Sequence, residues 1–221
     1  MKRAYLFLNG ELRGSQNFYQ NLLQEKQGDI FCVDGGSRHL QSLGITPKEL
    51  WGDLDSTSPI LRVEWEKQGC QVFQFPIEKD FTDFELLLQS LEQRSYEEWI
   101  VIGGLGGDTD HLLSNLYLCI QYPKIQFLSE EESIFLSPSH YLFQNLQGHK
   151  VSFIPFSNSI LSLSLKGFQY NLSSYHLQQG ETLCHGNTIV KEKAEINFEK
   201  GILLVVLKNK KLISNVLTPK S

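Results

Sequence analysis

The sequence lacks several features that mark common protein classes. Its 221 residues carry 20 basic and 25 acidic side chains, so it has no excess of positive charge for binding nucleic acid. Its four cysteines are widely spaced and form no C-x-x-C pair, which argues against a zinc clamp or a secreted disulfide framework. No run approaches the roughly 18 apolar residues of a membrane helix. These absences predict a soluble, cytoplasmic protein with neither nucleic acid nor membrane as a partner.

The first part of the chain alternates short β-rich runs with helical stretches. Six runs are predicted as strands: AYLFLN, DIFCVDGG, ELWGDLDS, CQVFQFP, WIVIGG and IQFLS. The alternation is typical of an α/β domain with a mostly parallel sheet and flanking helices. Thr82 followed by Glu85 is a capping pattern that predicts a helix start. A second helix is predicted in TDHLLSNLYLCI, with an apolar stripe formed by Leu112, Leu113, Leu116, Tyr117 and Ile120.

The pattern changes after about residue 138. The runs from there on have strand length, are separated by glycine or asparagine turns, and include no convincing long helix. This half is therefore predicted to be a smaller all-β sandwich. Pro138, Asn145 and Gly148 cluster at the change. We expect an α/β domain at 1–138 and a β-sandwich domain at 148–221.

Aspartate is absent from the second half of the chain. All eight aspartates lie between residues 29 and 110. Seven stand at or just after the carboxyl end of a predicted strand: Asp34, Asp53, Asp55, Asp80, Asp83, Asp108 and Asp110. In an open parallel sheet, the loops that leave these ends share one edge, where ligands bind. Since clustered carboxylates repel one another unless a cation lies among them, the sequence predicts a Mg²⁺ site used with phosphates.

Glycine pairs accompany these acids and allow backbone N–H groups to approach phosphates. No G-x-x-x-x-G-K-[ST] motif occurs, which excludes a P-loop enzyme. Each motif alone has another interpretation: GDLDS is typical of an Asx turn, DFTDFE of a capped helix start, and His111 of an ordinary helix-face histidine. The convergence of four such loops on one edge favours phosphoryl or nucleotidyl chemistry.

The ordered motifs resemble one enzyme family. DGG at 34–36, GDLDS at 52–56, KDFTDFE at 79–85 and GGLGGDTDH with the following SN at 103–115 are similar in order and spacing to thiamine pyrophosphokinases (thiamine diphosphokinases). GFQYNL at 167–172 is similar to the family's G-x-x-Y-x-L segment. The resemblance implies an ATP- and Mg²⁺-binding α/β domain, a C-terminal β-sandwich, and a homodimer with thiamine sites between subunits. It also implies attack by the thiamine hydroxyl on the β-phosphorus of ATP, with release of AMP.

The resemblance also implies roles for individual residues. Catalytic roles and Mg²⁺ coordination are implied for Asp53, Asp55, Asp80 and Asp83, with Asp83 a candidate general base. Contacts to nucleotide, phosphate or thiamine are implied for Asp34, Gly35, Ser56, Lys79, Thr82, Asp110, His111, Asn115 and Asn187.

Two positions depart from the family pattern. Asp108 stands where the family usually has an arginine before D-H, and Gly186 stands before Asn187 where the family usually has serine. The first change reverses a charge expected to face phosphate. Either another basic residue, such as Arg38, Lys79 or Arg13, substitutes for the arginine, or activity is altered. The second change affects the thiamine contacts expected of that loop.

Three other functions fit the same motifs. The first is a related diphosphotransferase acting on another alcohol, such as a pterin-like acceptor. The second is a nucleotide or thiamine sensor that lost catalysis through the change at Asp108. The third is a metal-dependent phosphohydrolase with water as the nucleophile, which would release ADP or phosphate instead of AMP.

Overall fold

Strands and helices alternate along the first part of the chain, as predicted. The computed structural model describes residues 2–209, and the chain divides into two units between Ser129 and Glu130. The first unit contains β1 (Arg3–Phe7), α1 (Gln16–Glu25), β2 (Asp29–Val33), a 3-10 turn (Asp34–Gly36), α2 (Ser37–Leu43), β3 (Glu49–Gly52), α3 (Pro59–Lys67), β4 (Gln71–Gln74), α4 (Asp83–Glu92), β5 (Glu98–Ile102), α5 (Thr109–Gln121) and β6 (Ile125–Leu128).

All strand pairings within the first unit are parallel. The strands lie in the order β4-β3-β2-β1-β5-β6. The chain therefore moves outward in one direction from β1 to β4 and in the other from β5 to β6. This reversal lies between β1 and β5, and open α/β sheets bind ligands outside the carboxyl ends of the strands at such a point.

Local sequence explains the start and the packing of α4. Thr82 is its N-cap, and the hydroxyl oxygen accepts a hydrogen bond from the Glu85 N–H at 3.2 Å. The helix buries the apolar side chains spaced along one face: Phe84, Leu87, Leu88 and Leu91. This confirms the helix that the capping pattern and the apolar periodicity predict.

The apolar stripe of α5 differs from expectation. Cys119 is the buried residue of this helix, whereas Leu113, Tyr117 and Ile120 are exposed. The 3.6-residue period identifies the helix correctly, but it does not reveal whether neighbouring elements cover the apolar face. Across residues 2–209, no helix has the length and apolarity needed to cross a membrane.

The second unit consists of strands, which confirms the predicted all-β architecture. They are β7 (Glu132–Ser137), β8 (His140–Gln144), β9 (Lys150–Pro155), β10 (Ser159–Lys166), β11 (Leu172–Gln178), β12 (Asn187–Thr188), β13 (Lys193–Asn197) and β14 (Leu203–Lys208). Antiparallel pairs join β7-β14-β9-β12 and, separately, β11-β10-β13-β8. One hydrophobic cluster takes residues from both groups, including Phe153 and Phe143, as a sandwich requires.

The division between the units precedes the boundary expected near 138–148. β7 pairs with β14 along its whole length, from Ser137 with Leu203 to Glu132 with Lys208. This strand therefore belongs to the second unit, although it comes before the cluster of turn residues. Turn residues mark the β7–β8 and β8–β9 connections, and only long-range pairing shows which unit a strand joins.

Gly36 provides a test of how closely the 3-10 turn packs on β1. A Cβ atom at this position would lie less than 3.0 Å from the backbone carbonyl of Phe7, although the φ of −58° suits any residue. We expect Gly36→Ala to lower the free energy of unfolding by about 3 kcal/mol, because the backbone of Phe7 or of the turn must move. Gly44→Ala is the control: φ is +69° with open space around the site, so a loss of about 1 kcal/mol is expected. Urea titration measures both values. An equal loss of unfolding free energy in Gly36→Ala and Gly44→Ala would contradict the steric explanation.

Candidate active site

A cavity of about 650 Å³ opens at the carboxyl edge of the parallel sheet in the first unit. Its lining comes from four loops, which follow β1, β2, β4 and β5. Of the residues predicted to form the site, those that line the cavity are Asp34, Lys79, Asp80, Thr82, Asp83, His111 and Asn115. Three of the four loops expected to converge therefore line the cavity. The fourth, after β3, is not in the lining, and its Asp53 and Asp55 approach it through the cluster they form with Asp34.

Three aspartates form the acidic cluster of the site. One carboxylate oxygen from each of Asp34, Asp53 and Asp55 lies within 4.8 Å of the others. Burial, and then the negative charge of Asp53, raises the pKa of Asp34 above its ordinary value. Asp34 Oδ1 is buried and has no hydrogen-bond partner among residues 2–209. The Ser56 hydroxyl lies 2.9 Å from Asp55 Oδ1 and 3.3 Å from Asp34 Oδ2, and it can donate to either.

The backbone at this cluster is strained. Asp34 has φ +41° and Leu54 has φ +69°, a region that bulky side chains seldom occupy. Leu54 is buried, which holds the loop in place, and Asp53 Oδ1 accepts a hydrogen bond from the Asp55 N–H at 3.2 Å. The Asx turn expected of this sequence is thus present, in the loop that carries both Asp53 and Asp55. Trp51 lies in the core, stacked on Phe73.

Lys79, Asp80, Thr82 and Asp83 form another part of the cavity wall. Lys79 Nζ lies 3.2 Å from Asp83 Oδ1 and donates to the Pro76 carbonyl at 3.0 Å. Asp80 is exposed. Asp34, rather than Asp80 or Asp83, completes the cluster with Asp53 and Asp55. The metal-binding role of Asp80 and Asp83 therefore stays a prediction.

The first turns of α5 contribute a further wall. Asp108 and His111 line the cavity with largely exposed side chains, and the Asp108 carboxylate lies 3.9 Å from His111 Nδ1. Asp110 is exposed and accepts a hydrogen bond from the His111 N–H at 2.8 Å. Asn115 donates to the Gly104 carbonyl at 3.2 Å, which ties α5 to the glycine loop. In that loop Gly103 has φ +69°, a conformation suited to glycine.

Asn9 and His39 belong to the site region, although the sequence motifs do not reveal them. The Asn9 side chain lies so close to Gly35 that a Cβ atom there would overlap it. His39 is buried, and Nε2 lies 2.8 Å from the Gly10 carbonyl, where a neutral imidazole would donate. Asn9 directly follows β1, so the rule that ligand loops leave strand ends could have identified it. No local pattern distinguishes His39 from a core residue.

Asn187 lies in the second unit and is buried. Its side chain accepts from the Tyr170 N–H at 3.1 Å and donates to the Tyr170 carbonyl at 2.8 Å. The preceding Gly186 has φ +65°, and its N–H donates to Ser152 Oγ at 3.0 Å. These bonds give Asn187 a structural role, and its contact with a ligand stays a prediction.

His39 should make stability depend on pH. Burial lowers the pKa of His39 from its ordinary 6.5, so the folded state favours the neutral ring. The stabilisation is complete above the unfolded-state pKa and is lost as pH falls towards the folded-state pKa. We expect the free energy of unfolding to fall below about pH 6.5, with a smaller fall in His39→Gln, which keeps an N–H donor. Chemical denaturation measures this free energy at each pH. The same pH dependence in the wild type and in His39→Gln would contradict the role of His39.

Comparisons with known proteins agree with the architecture. Residues 19–128 match the family described as thiamin pyrophosphokinase, catalytic domain, and residues 139–203 match thiamin pyrophosphokinase, vitamin B1 binding domain. The chain is 33% identical over 180 residues to thiamine pyrophosphokinase of Bacillus subtilis, covering 79% of this chain and 84% of that protein.

Solved structures give the same result. The fold is similar to a crystal structure of thiamine pyrophosphokinase from Bacillus subtilis, with a TM-score of 0.82, 28% identity, and coverage of 95% of this chain and 100% of that chain. A structure of thiamin pyrophosphokinase from Geobacillus thermodenitrificans gives a TM-score of 0.78 at 26% identity, with coverage of 98% and 100%. Both family domains and a relative above 30% identity are matched, so the chain belongs to the thiamine pyrophosphokinase family of enzymes.

Proposed function

We propose that the chain transfers the diphosphate group of ATP to the hydroxyl of thiamine, giving thiamine diphosphate and AMP. The observation that carries the proposal is the cavity, whose lining residue Asp34 forms a three-aspartate cluster with Asp53 and Asp55, in the unit that matches the family's catalytic domain. In this reaction the thiamine hydroxyl oxygen would bond to the β-phosphorus of ATP while the bond from that phosphorus to the α-phosphate oxygen breaks, so that AMP leaves. Positioning and electrostatic stabilisation would supply most of the catalysis.

Asp34, Asp53 and Asp55 have the chemistry of a Mg²⁺ site. The three carboxylates provide hard oxygen donors within 4.8 Å of one another, and the buried Asp34 Oδ1 has no hydrogen-bond partner in the described part of the chain. These features fit a divalent cation. Bound Mg²⁺ would neutralise charge on the ATP phosphates.

Other groups of this chain would orient the phosphates. The amino-terminal turns of α4 and α5 contribute Thr82, Asp83, Asp108 and His111 to the lining, and helix N-termini favour anions. Lys79 offers a positive charge, although it is paired with Asp83. Asp83, within the same wall, is the candidate to accept the thiamine hydroxyl proton.

The second unit would bind thiamine. The support is the match of residues 139–203 to a family described as a vitamin B1 binding domain. Large apolar side chains are exposed on this unit: Leu142, Tyr170, Leu183 and Val190. They would pack at the interface of a homodimer, which light scattering can measure.

A cytoplasmic location accords with four free, buried thiols, which suit a reducing compartment.

Product analysis tests the proposed reaction. With wild-type protein, AMP and thiamine diphosphate should form in equal amounts only when ATP, Mg²⁺ and thiamine are all present. Asp53→Asn and Asp55→Asn should each lower kcat/KM by about 100-fold or more, because a metal ligand is weakened. The matched control is Asp29→Asn, since Asp29 lies at the amino end of β2 and pairs with Lys48 at 2.7 Å. This variant should remain active.

The result can also exclude the proposal. Formation of ADP or inorganic phosphate without any thiamine diphosphate would support a phosphohydrolase instead. Transfer to another alcohol, with none to thiamine, would change the acceptor. Near-wild-type turnover in Asp53→Asn or Asp55→Asn would remove the metal role from that aspartate.

Asp34 allows a test of the cation site without measuring activity. Asp34→Asn removes one negative charge beside Asp53, so Tm of the metal-free protein should rise by about 2–4 °C for each kcal/mol of repulsion relieved. Mg²⁺ should raise Tm of the wild type but have little effect on the variant. NaCl at matched ionic strength controls for screening. Equal Mg²⁺-dependent shifts in both proteins would exclude Asp34 as a ligand.

A further inference from the structure

Two basic side chains line the cavity, Arg38 and Lys79, and their surroundings differ. Lys79 Nζ is 3.2 Å from Asp83 Oδ1, and the side chain is mostly buried in this ion pair. Its charge is therefore largely compensated before any ligand enters. The aspartates that line the cavity, Asp34, Asp80, Asp83 and Asp108, outnumber these two cations. A polyphosphate entering this cavity needs positive charge that Lys79 alone does not supply.

Arg38 has a different setting in the first turn of α2. Its Nη2 donates hydrogen bonds to the carbonyl oxygens of Asn9 and Gly10, the latter at 3.0 Å. Within residues 2–209, Arg38 forms no ion pair with a carboxylate, and Nε and Nη1 have no hydrogen-bond partner. Carbonyl oxygens orient the guanidinium but carry no net charge. Arg38 therefore brings an uncompensated positive charge to the cavity, in an orientation set by the end of β1.

We propose that Arg38 is a phosphate-binding residue of this cavity. The inference rests on the proposed function, in which the ligand is the polyphosphate of ATP. A guanidinium binds phosphate oxygens through two parallel N–H donors. The hydrogen bonds from Arg38 to the Asn9 and Gly10 carbonyls already restrict its side chain, so less conformational entropy is lost when a phosphate binds. Arg38 also follows Asp34 by one helical turn, so Arg38 and one member of the three-aspartate cluster both follow β2.

The same observations favour Arg38 among the basic residues that could compensate for Asp108. Arg13 is not among the residues that line the cavity, and its Nε pairs with Glu11 at 3.2 Å. Lys79 is paired with Asp83. Of these three residues, Arg38 is the one that lines the cavity together with Asp108 and has no carboxylate partner in the described part of the chain.

A structural role for Arg38 predicts different behaviour. If Arg38 served only to hold the β1 loop through Asn9 and Gly10, its loss would disturb the cavity for every ligand. Affinities for ATP and adenosine would then fall together. A phosphate-binding role affects only ligands that carry phosphate, and it depends on charge.

The experiment measures binding to the full chain by calorimetry, with MgATP, inorganic tripolyphosphate and adenosine as separate probes. Arg38→Gln should weaken binding of MgATP and tripolyphosphate by about 10- to 100-fold and leave adenosine binding unchanged. Arg38→Lys, which keeps the charge but loses the two-pronged geometry, should give an intermediate loss. Arg62→Gln is the control, because Arg62 lies on α3 and pairs with Glu66 at 3.3 Å; it should bind all probes as the wild type does.

Each outcome bears on the inference. Unchanged tripolyphosphate affinity in Arg38→Gln, or equal losses for ATP and adenosine, would overturn it. Arg38→Met provides a second neutral variant if Arg38→Gln does not fold, as judged by circular dichroism. The wild type could bind tripolyphosphate through Arg38 and yet form no thiamine diphosphate. That result would refute the proposed reaction but leave Arg38 as an anion-binding residue. Thiamine diphosphate formation with unaltered KM for ATP in Arg38→Gln would refute the anion site alone.

Discussion

The strand order of the parallel sheet is the constraint on which the candidate site depends. β1 lies between β2 and β5, so the loops after all three strands leave adjacent positions on one edge. Backbone hydrogen bonds extend the pairing beyond the strands, from Gly10 N–H to the Gly103 carbonyl at 2.7 Å. Asn9, Asp34 and the glycine loop consequently face one cavity, although about 70 residues of chain separate Asp34 from that loop.

This convergence has an electrostatic consequence. Burial raises the pKa of Asp34, and the nearby charge of Asp53 raises it further, so the ionised cluster is destabilised where no positive charge compensates it. The positive φ of Asp34 and Leu54 shows that the surrounding structure also tolerates backbone strain there. Lys79 is paired within the wall, whereas Arg38 is held by uncharged carbonyls. The carboxyl edge of the sheet thus places three aspartates, whose carboxylates suit a metal ion, near Arg38, whose positive charge suits an anion.

Local chemistry made much of this predictable. The β-rich runs correspond to β1–β6, and the capping pair Thr82 and Glu85 begins α4 where expected. Aspartates at strand ends reach the predicted edge. Other features depend on distant contacts: β7 joins the second unit by pairing with β14, and the apolar face of α5 is exposed. Neither follows from periodicity, because periodicity describes one element and not its neighbours.

By itself, the sequence determined the order of the elements, the all-β second half, and the family to which the chain belongs. These properties depend on local patterns and motif spacing. Only the tertiary structure decided that Asp34 completes the cluster with Asp53 and Asp55, that His39 lies buried against Gly10, and that Arg38 lacks an acidic partner in the described residues. The physical reason is that charge compensation depends on distances across the sheet edge, and strand pairing sets those distances.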